Sequence, residues 1–129
     1  MTNSLFLISY RELKVYQAAF ESALQVFELS HTFPDNERIL LTQPLIQVTR
    51  LLCIDIAQAW HRRRYPNAFV ASLNHAEAKA AATQVWLEFA VLCHYLDPET
   101  GQELHHHYQE VLSDLNRLIH NSAAWVNPV

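Results

Sequence analysis

A chain of 129 residues, half of them hydrophobic and 17% charged, suits one domain with a buried core and is too apolar to stay disordered. A single glycine, Gly101, and five prolines near pauses in the apolar pattern exclude a turn-rich β fold and favour long helices joined at short corners. The formal charge of -4 and pI near 6.0 leave no global basic field for nucleic acid, although the eight histidines begin to cancel that deficit on acidification.

Ser9 can cap a first helix over about 10–30, with Leu13, Tyr16, Phe20, Leu24 and Phe27 as its apolar stripe. Pro34 breaks the pattern, and Asp35 or Asn36 can cap a second helix over about 36–62. Its face is Leu45, Val48, Leu52, Ile56 and Ala59. Pro44 either sits in the first turn of a helix that begins near Thr42 or kinks a longer one; the helical character of the residues before it favours the kink. Pro66 opens a third helix over about 66–96, unbroken for roughly 45 Å. That helix has two apolar stripes. Phe69, Leu73, Ala76, Ala80, Thr83, Leu87 and Ala90 form one; Val85, Trp86, Phe89 and Leu92 form the other. One chain of this size covers only one of them, so self-association follows. Asp97 and Pro98 open a fourth helix over about 98–122 on Leu104, Tyr108, Val111, Leu115 and Leu118, and the tail AAWVNPV is expected to fray. The sum is an all-α, antiparallel up-down four-helix bundle in one domain.

Cys53 and Cys93 lie in apolar runs and are expected as buried free thiols, which suits a reducing cytoplasm. The N-terminus MTNSLFLISY lacks the basic region and cleavage site of a signal peptide, and no run reaches the ~18 apolar residues of a membrane span. The expected location is cytoplasmic, with no membrane partner.

Three constellations bear on function. ELHHHYQE looks like a metal site, but neighbours on a helix point about 100° apart, so His105, His106 and His107 do not converge on one ion. A solvated helix face is expected, with no metal, cofactor or catalytic residue; a His-rich metal-binding bundle is the minor alternative. Asp55 continues the second helix's stripe. It points to solvent or is buried, and burial demands a cation from Lys79 or Arg50. A structural or interface role is expected for it, and Asp55, Lys79, Trp86 and Phe89 are the candidate oligomer interface. His61, Arg62, Arg63 and Arg64 are the one dense basic cluster. Cations at a helix C-terminus complement its dipole, which is sufficient explanation in itself. A ring of subunits would multiply the corner into a collar able to hold phosphates, with Arg50 and Lys14 assisting.

YRELKVYQAAF, FPDNERILLTQPLIQVTRLLCIDIAQAWHR and FVASLNHAEAKAAATQVWLEFAVLCHYL together resemble the small four-helix-bundle family of proteins encoded within 23S ribosomal RNA intervening sequences. That family includes the accessory variability protein (Avd) of diversity-generating retroelements. Phe33, Pro34, Glu37, Ile56, Ala57 and Tyr95 match its pattern. Asp55, Gln58 and Ala59 replace the usual Asn, Glu and Gly, and His94 replaces a glycine. The resemblance implies a non-enzymatic bundle that assembles into a ring, usually a homopentamer, and binds a reverse transcriptase and its structured RNA through basic surface. The acidic balance of this chain, and Ile46 and Gln47 where the family carries basic residues, leave a protein-only scaffold as the alternative.

Overall fold

A computed structural model describes residues 9–125. Among these, all regular structure is helical: α1 (Lys14–Ser30), α2 (Gln43–His61), α3 (Pro66–Leu92), α4 (Pro98–His120) and a single turn, α5 (Ser122–Trp125). The first four run alternately up and down. Contact is most extensive between α2 and α3, less so between α3 and α4 and between α1 and α2, and sparsest where α1 closes the bundle on α4.

Helix α1 departs from expectation twice. The Ser9 hydroxyl accepts from Arg11 N, but it caps a 3-10 turn at Tyr10–Glu12; extended Leu13 then separates that turn from α1. The second departure concerns which face is buried. Val15, Ala19, Ser22, Val26 and Ser30 face the core, while Phe20 and Leu24 of the expected stripe are exposed and Tyr16 and Phe27 are half-buried. Small side chains let α1 approach its neighbours closely, and the bulky ones are pushed to its flank. Pattern alone does not separate these faces, because both repeat at helical spacing.

Helix α2 starts at Gln43, one residue from the start near Thr42 that the first of the two readings gives it. A 3-10 turn (Asp35–Glu37) and a π turn (Arg38–Thr42) lead into it, and Pro44 lies in its first turn. Proline offers no N–H to the carbonyl four residues back, and its ring needs room there. The wider π turn supplies that room, with Gln43 N donating to the Arg38 carbonyl. It also brings both Leu41 and Leu45 into the core. The helical stretch Asp35–His61 has the length and apolarity of a membrane span. Its apolar side is the bundle core, where Leu41, Leu45, Leu52, Ile56 and Ala59 are buried.

Helix α3 ends at Leu92, four residues earlier than its pattern predicts. Tyr95 N bonds the Ala90 carbonyl and His94 N that of Val91, a Schellman stop with His94 left-handed at φ 65°. Every residue of its first stripe is buried. Asp97 caps α4 as expected, accepting from Thr100 N. Gly101 then sits under α3 so closely that a Cβ there would overlap Val91 Cγ2. Of the expected α4 stripe, Leu104, Tyr108, Val111 and Leu115 are buried and Leu118 half-buried. The helix stops at His120, and the tail is not frayed throughout: α5 packs Trp125 edge-on to Trp60, with ring centroids 6.4 Å apart. Residues 126–129 of that tail lie outside the described residues, as do residues 1–8 of the N-terminal segment.

The thiol expectation holds for Cys53, which is buried, and fails for Cys93, which is exposed because α3 ends beside it. Burial pushes the Cys53 thiol up to about 11. Tyr108 is the largest fully buried side chain. Its hydroxyl has no hydrogen-bond partner among the described residues, and desolvation raises its pKa.

Candidate functional site

Antiparallel packing gathers residues that lie far apart in sequence. The starts of α1 and α3 and the ends of α2 and α4 share one end of the bundle. Tyr10 and His61 meet there, with ring centroids 6.0 Å apart, and Lys14 and Arg117 line one cleft between α1 and α4. Arg11, Lys14, Arg62, Arg63, Arg64 and Arg117 therefore crowd this end, six of the nine Lys and Arg residues of the chain. Glu12 and Asp114 lie at this end too, Asp114 paired with Arg117, and Glu21 and Glu110 line the same cleft as Lys14 and Arg117. The opposite end holds Glu28, Asp35, Glu37, Glu88, Asp97, Glu99 and Glu103, with Arg38 as its cation. The net charge of -4 conceals a basic end and an acidic end.

The four members of the expected cluster are not equivalent. Arg64 is exposed, with no ion-pair partner among the described residues. Arg62 is exposed too, and its Nη1 donates to the buried Ser72 Oγ at 2.9 Å, which steadies its stem. Arg63 instead folds inward. Its guanidinium lies 3.4 Å from the Trp60 ring centroid and donates to the Trp60 carbonyl, and partial desolvation lowers its pKa. His61 is exposed beside Tyr10. Arg50 is exposed but lies some way from this end, stacked over Phe27 at 5.3 Å. Arg11 and Arg117 were missed from sequence, because their place in the cluster depends on how α1 and α4 lie against α2.

Asp55 takes Lys79 as its cation, at 2.7 Å, and Arg50 does not compete. The pair bridges α2 and α3 with side chains 14% and 29% exposed, so both charges are satisfied within one chain. The second stripe of α3 is uncovered: Val85, Phe89 and Leu92 are 51%, 54% and 76% exposed, with Trp86 half-buried beside Phe89. The histidine run splits as helical geometry requires. His105 approaches Glu88 of α3 at 3.7 Å, and His106 approaches Glu110 at 3.9 Å on its own helix. Among the described residues, no group of three or more His, Cys, Asp or Glu side chains is placed to hold a metal ion.

At the acidic end, Tyr95 Oη donates to Glu37 Oε2 at 2.8 Å and the Tyr95 ring packs beside Phe33, with centroids 6.1 Å apart. That hydrogen bond raises the pKa of the phenol, with desolvation adding to it. The model of the 23S rRNA-intervening sequence proteins matches residues 11–117. The chain belongs to that family. Comparison with curated proteins and with solved structures finds no match. Phe33, Pro34 and Glu37 in one segment and Tyr95 in another, residues that carry the resemblance in the sequence, come together here. These residues clasp the entry to α2 against the exit from α3, and the neighbouring position must be left-handed for the tyrosine to turn back. Glycine suits that conformation best, and this chain uses His94 instead.

Proposed function

We propose that this protein is a non-catalytic, self-assembling bundle whose basic end binds structured RNA through its phosphates, as the accessory of a reverse transcriptase in a diversity-generating retroelement. The sorting of charge carries the reading. An acidic protein as a whole, it concentrates six cations at one end and places most of its acids elsewhere. Backbone binding needs local charge and tolerates a negative total, because acids more than a Debye length of roughly 8–10 Å away are screened, and Asp114 at this end is already paired with Arg117. Self-association through α3 repeats that end around one rim. A ring of five, the number the resemblance implies, would carry a collar of arginines at that rim and acids at the other.

Binding of structured RNA measured against salt tests this. Neutralising Lys14, Arg62 and Arg64 together to alanine is expected to lower affinity about ten-fold or more and reduce the salt slope by about 3. Arg38→Ala, at the acidic end, is expected to leave both unchanged. Equal losses from the two variants would remove the basis of the reading. A protein-only scaffold is the second reading, favoured by the net charge of -4. It predicts self-association without measurable RNA affinity at physiological salt.

A further inference from the structure

An apolar groove of about 410 Å³ runs between α1 and α2, lined by Tyr16, Phe20, Leu24, Phe27 and Ile54, with Tyr10 at one mouth. Phe20, Leu24 and Ile54 are each about half-exposed. We propose that this groove seats the N-terminal segment of its own chain, with Leu5, Phe6, Leu7 and Ile8 laid along it in extended form over its rings.

The point of attachment favours this occupant. Residues 1–8 lie outside the described residues and join the bundle at the mouth of the groove. Tyr10 packs edge-on to Tyr16 of α1, with ring centroids 4.9 Å apart, and lies 6.0 Å from His61 of α2. Gln17 Nε2 donates to the Arg11 carbonyl at 2.8 Å and holds the turn at Tyr10–Glu12 on α1. Ser9, already extended at φ -147° and ψ 145°, is therefore anchored where the groove begins.

Length agrees. At ~1.5 Å per residue the groove from Tyr16 to Phe27 is roughly 16 Å long. At ~3.3 Å per residue the extended stretch from Leu5 to Ser9 spans about the same distance. Side chains of an extended segment point alternately to opposite sides, which suits a groove with α1 as one wall and α2 as the other.

Chemistry agrees as well. LFLI is a run of apolar residues, and residues 1–9 carry no charged side chain. The groove's cationic or ionisable groups, Arg50 and His61, thus meet no like charge. Arg50 lies over Phe27 with no carboxylate in salt-bridge contact among the described residues, and extended backbone offers it carbonyl oxygens. A second copy would have to displace a tethered segment whose effective concentration is on the order of millimolar. The segment also precedes the stretch matched by the family, which begins at residue 11, so this seat belongs to the chain itself.

Alkylation of a thiol placed in the groove tests this. Leu24→Cys is treated with iodoacetamide and followed by peptide mass mapping, which resolves it from Cys53 and Cys93. Its rate is compared with that in the same variant carrying serine in place of Leu5, Phe6, Leu7 and Ile8, with circular dichroism confirming that both fold. The serine chain is expected to react at least ~10-fold faster at Leu24→Cys, since burial under four apolar side chains is lost. Exposed Cys93 should react equally in both. Phe6→Ser alone is expected to give part of the increase. Equal rates at Leu24→Cys in the two chains would overturn the proposal: equal and fast means an open groove, equal and slow means another occupant. Protection is expected to be independent of protein concentration. Protection lost on dilution would assign the segment to a second copy and overturn its seating within one chain.

Discussion

The two ends of the bundle are finished by different chemistry. At the acidic end Tyr95, Glu37 and Phe33 lock the exit of α3 to the entry of α2 through one hydrogen bond and one ring contact. At the basic end Arg63 is folded onto Trp60, whereas Arg62 and Arg64 stay exposed, Arg62 steadied by Ser72. A closed end fixes which helix lies beside which. An open end can carry exposed like charges, because its geometry is held elsewhere. The contrast teaches that the contacts that fix the form of the bundle and the surface proposed to bind can lie about a helix length apart.

The contrast can be broken most severely at Phe33. It is buried against Tyr95, and Phe33→Ala is expected to lower stability by about 3 kcal/mol in urea melts. RNA affinity of the fraction that remains folded should be unchanged; a parallel loss of affinity would mean that the two ends are not separate devices.

Alkaline pH probes the core between the ends. Burial holds the Cys53 thiol near 11 against 9.0 for a free one, and the Tyr108 phenol is also raised from 10.0. Both folded values exceed the unfolded ones. Their stabilisation is therefore complete below pH 9.0 and is lost as pH rises through the folded values, so urea midpoints should be flat from neutrality and fall above it. Tyr108→Phe removes a hydroxyl that has no partner, and should shrink that fall while leaving neutral stability equal or about 1 kcal/mol higher. A loss of stability at neutral pH would mean that the hydroxyl has a role in the folded state.

Arg63 sharpens the comparison within the basic end. Arg63→Ala is expected to cost about 1 kcal/mol of stability through the lost Trp60 stacking, with little change in RNA salt slope. Arg64→Ala should do the reverse. If Arg63 moved the slope as much as Arg64, its inward packing would not describe the bound state.

The smallest effect is expected at His94. Replacing this left-handed residue by glycine should raise stability by about 0.5–1 kcal/mol, read as a higher urea midpoint. A fall would mean that the imidazole makes a stabilising contact that outweighs its backbone strain.

Much of the fold was legible from breakers and caps. Pro66, Asp97 and Pro98 stand where helices begin, and the double stripe of α3 correctly announced one buried and one uncovered face. Lys79 was one of two cations named for Asp55, and it is the partner. The inversion of α1 was not legible, since Phe20 and Ala19 sit on neighbouring faces that are equally helical in period. The charge sorting is hidden in composition, which sums Arg11, Arg64 and Arg117 with every acid in the chain, and it becomes legible only when the expected up-down order is applied to their positions.

The π turn before Pro44 has a consequence for how this chain can change length. It holds one residue more than a regular turn, so losing Leu40, an exposed residue there, would leave the phase of all of α2 intact. The proline forbids that loss on its own, because its ring would then meet a carbonyl in a turn too narrow for it. Deletion of Leu40 and Pro44→Ala are thus ordered: the substitution removes the ring that needs the wide turn, so a descendant of this sequence could shorten the helix only after that change or together with it.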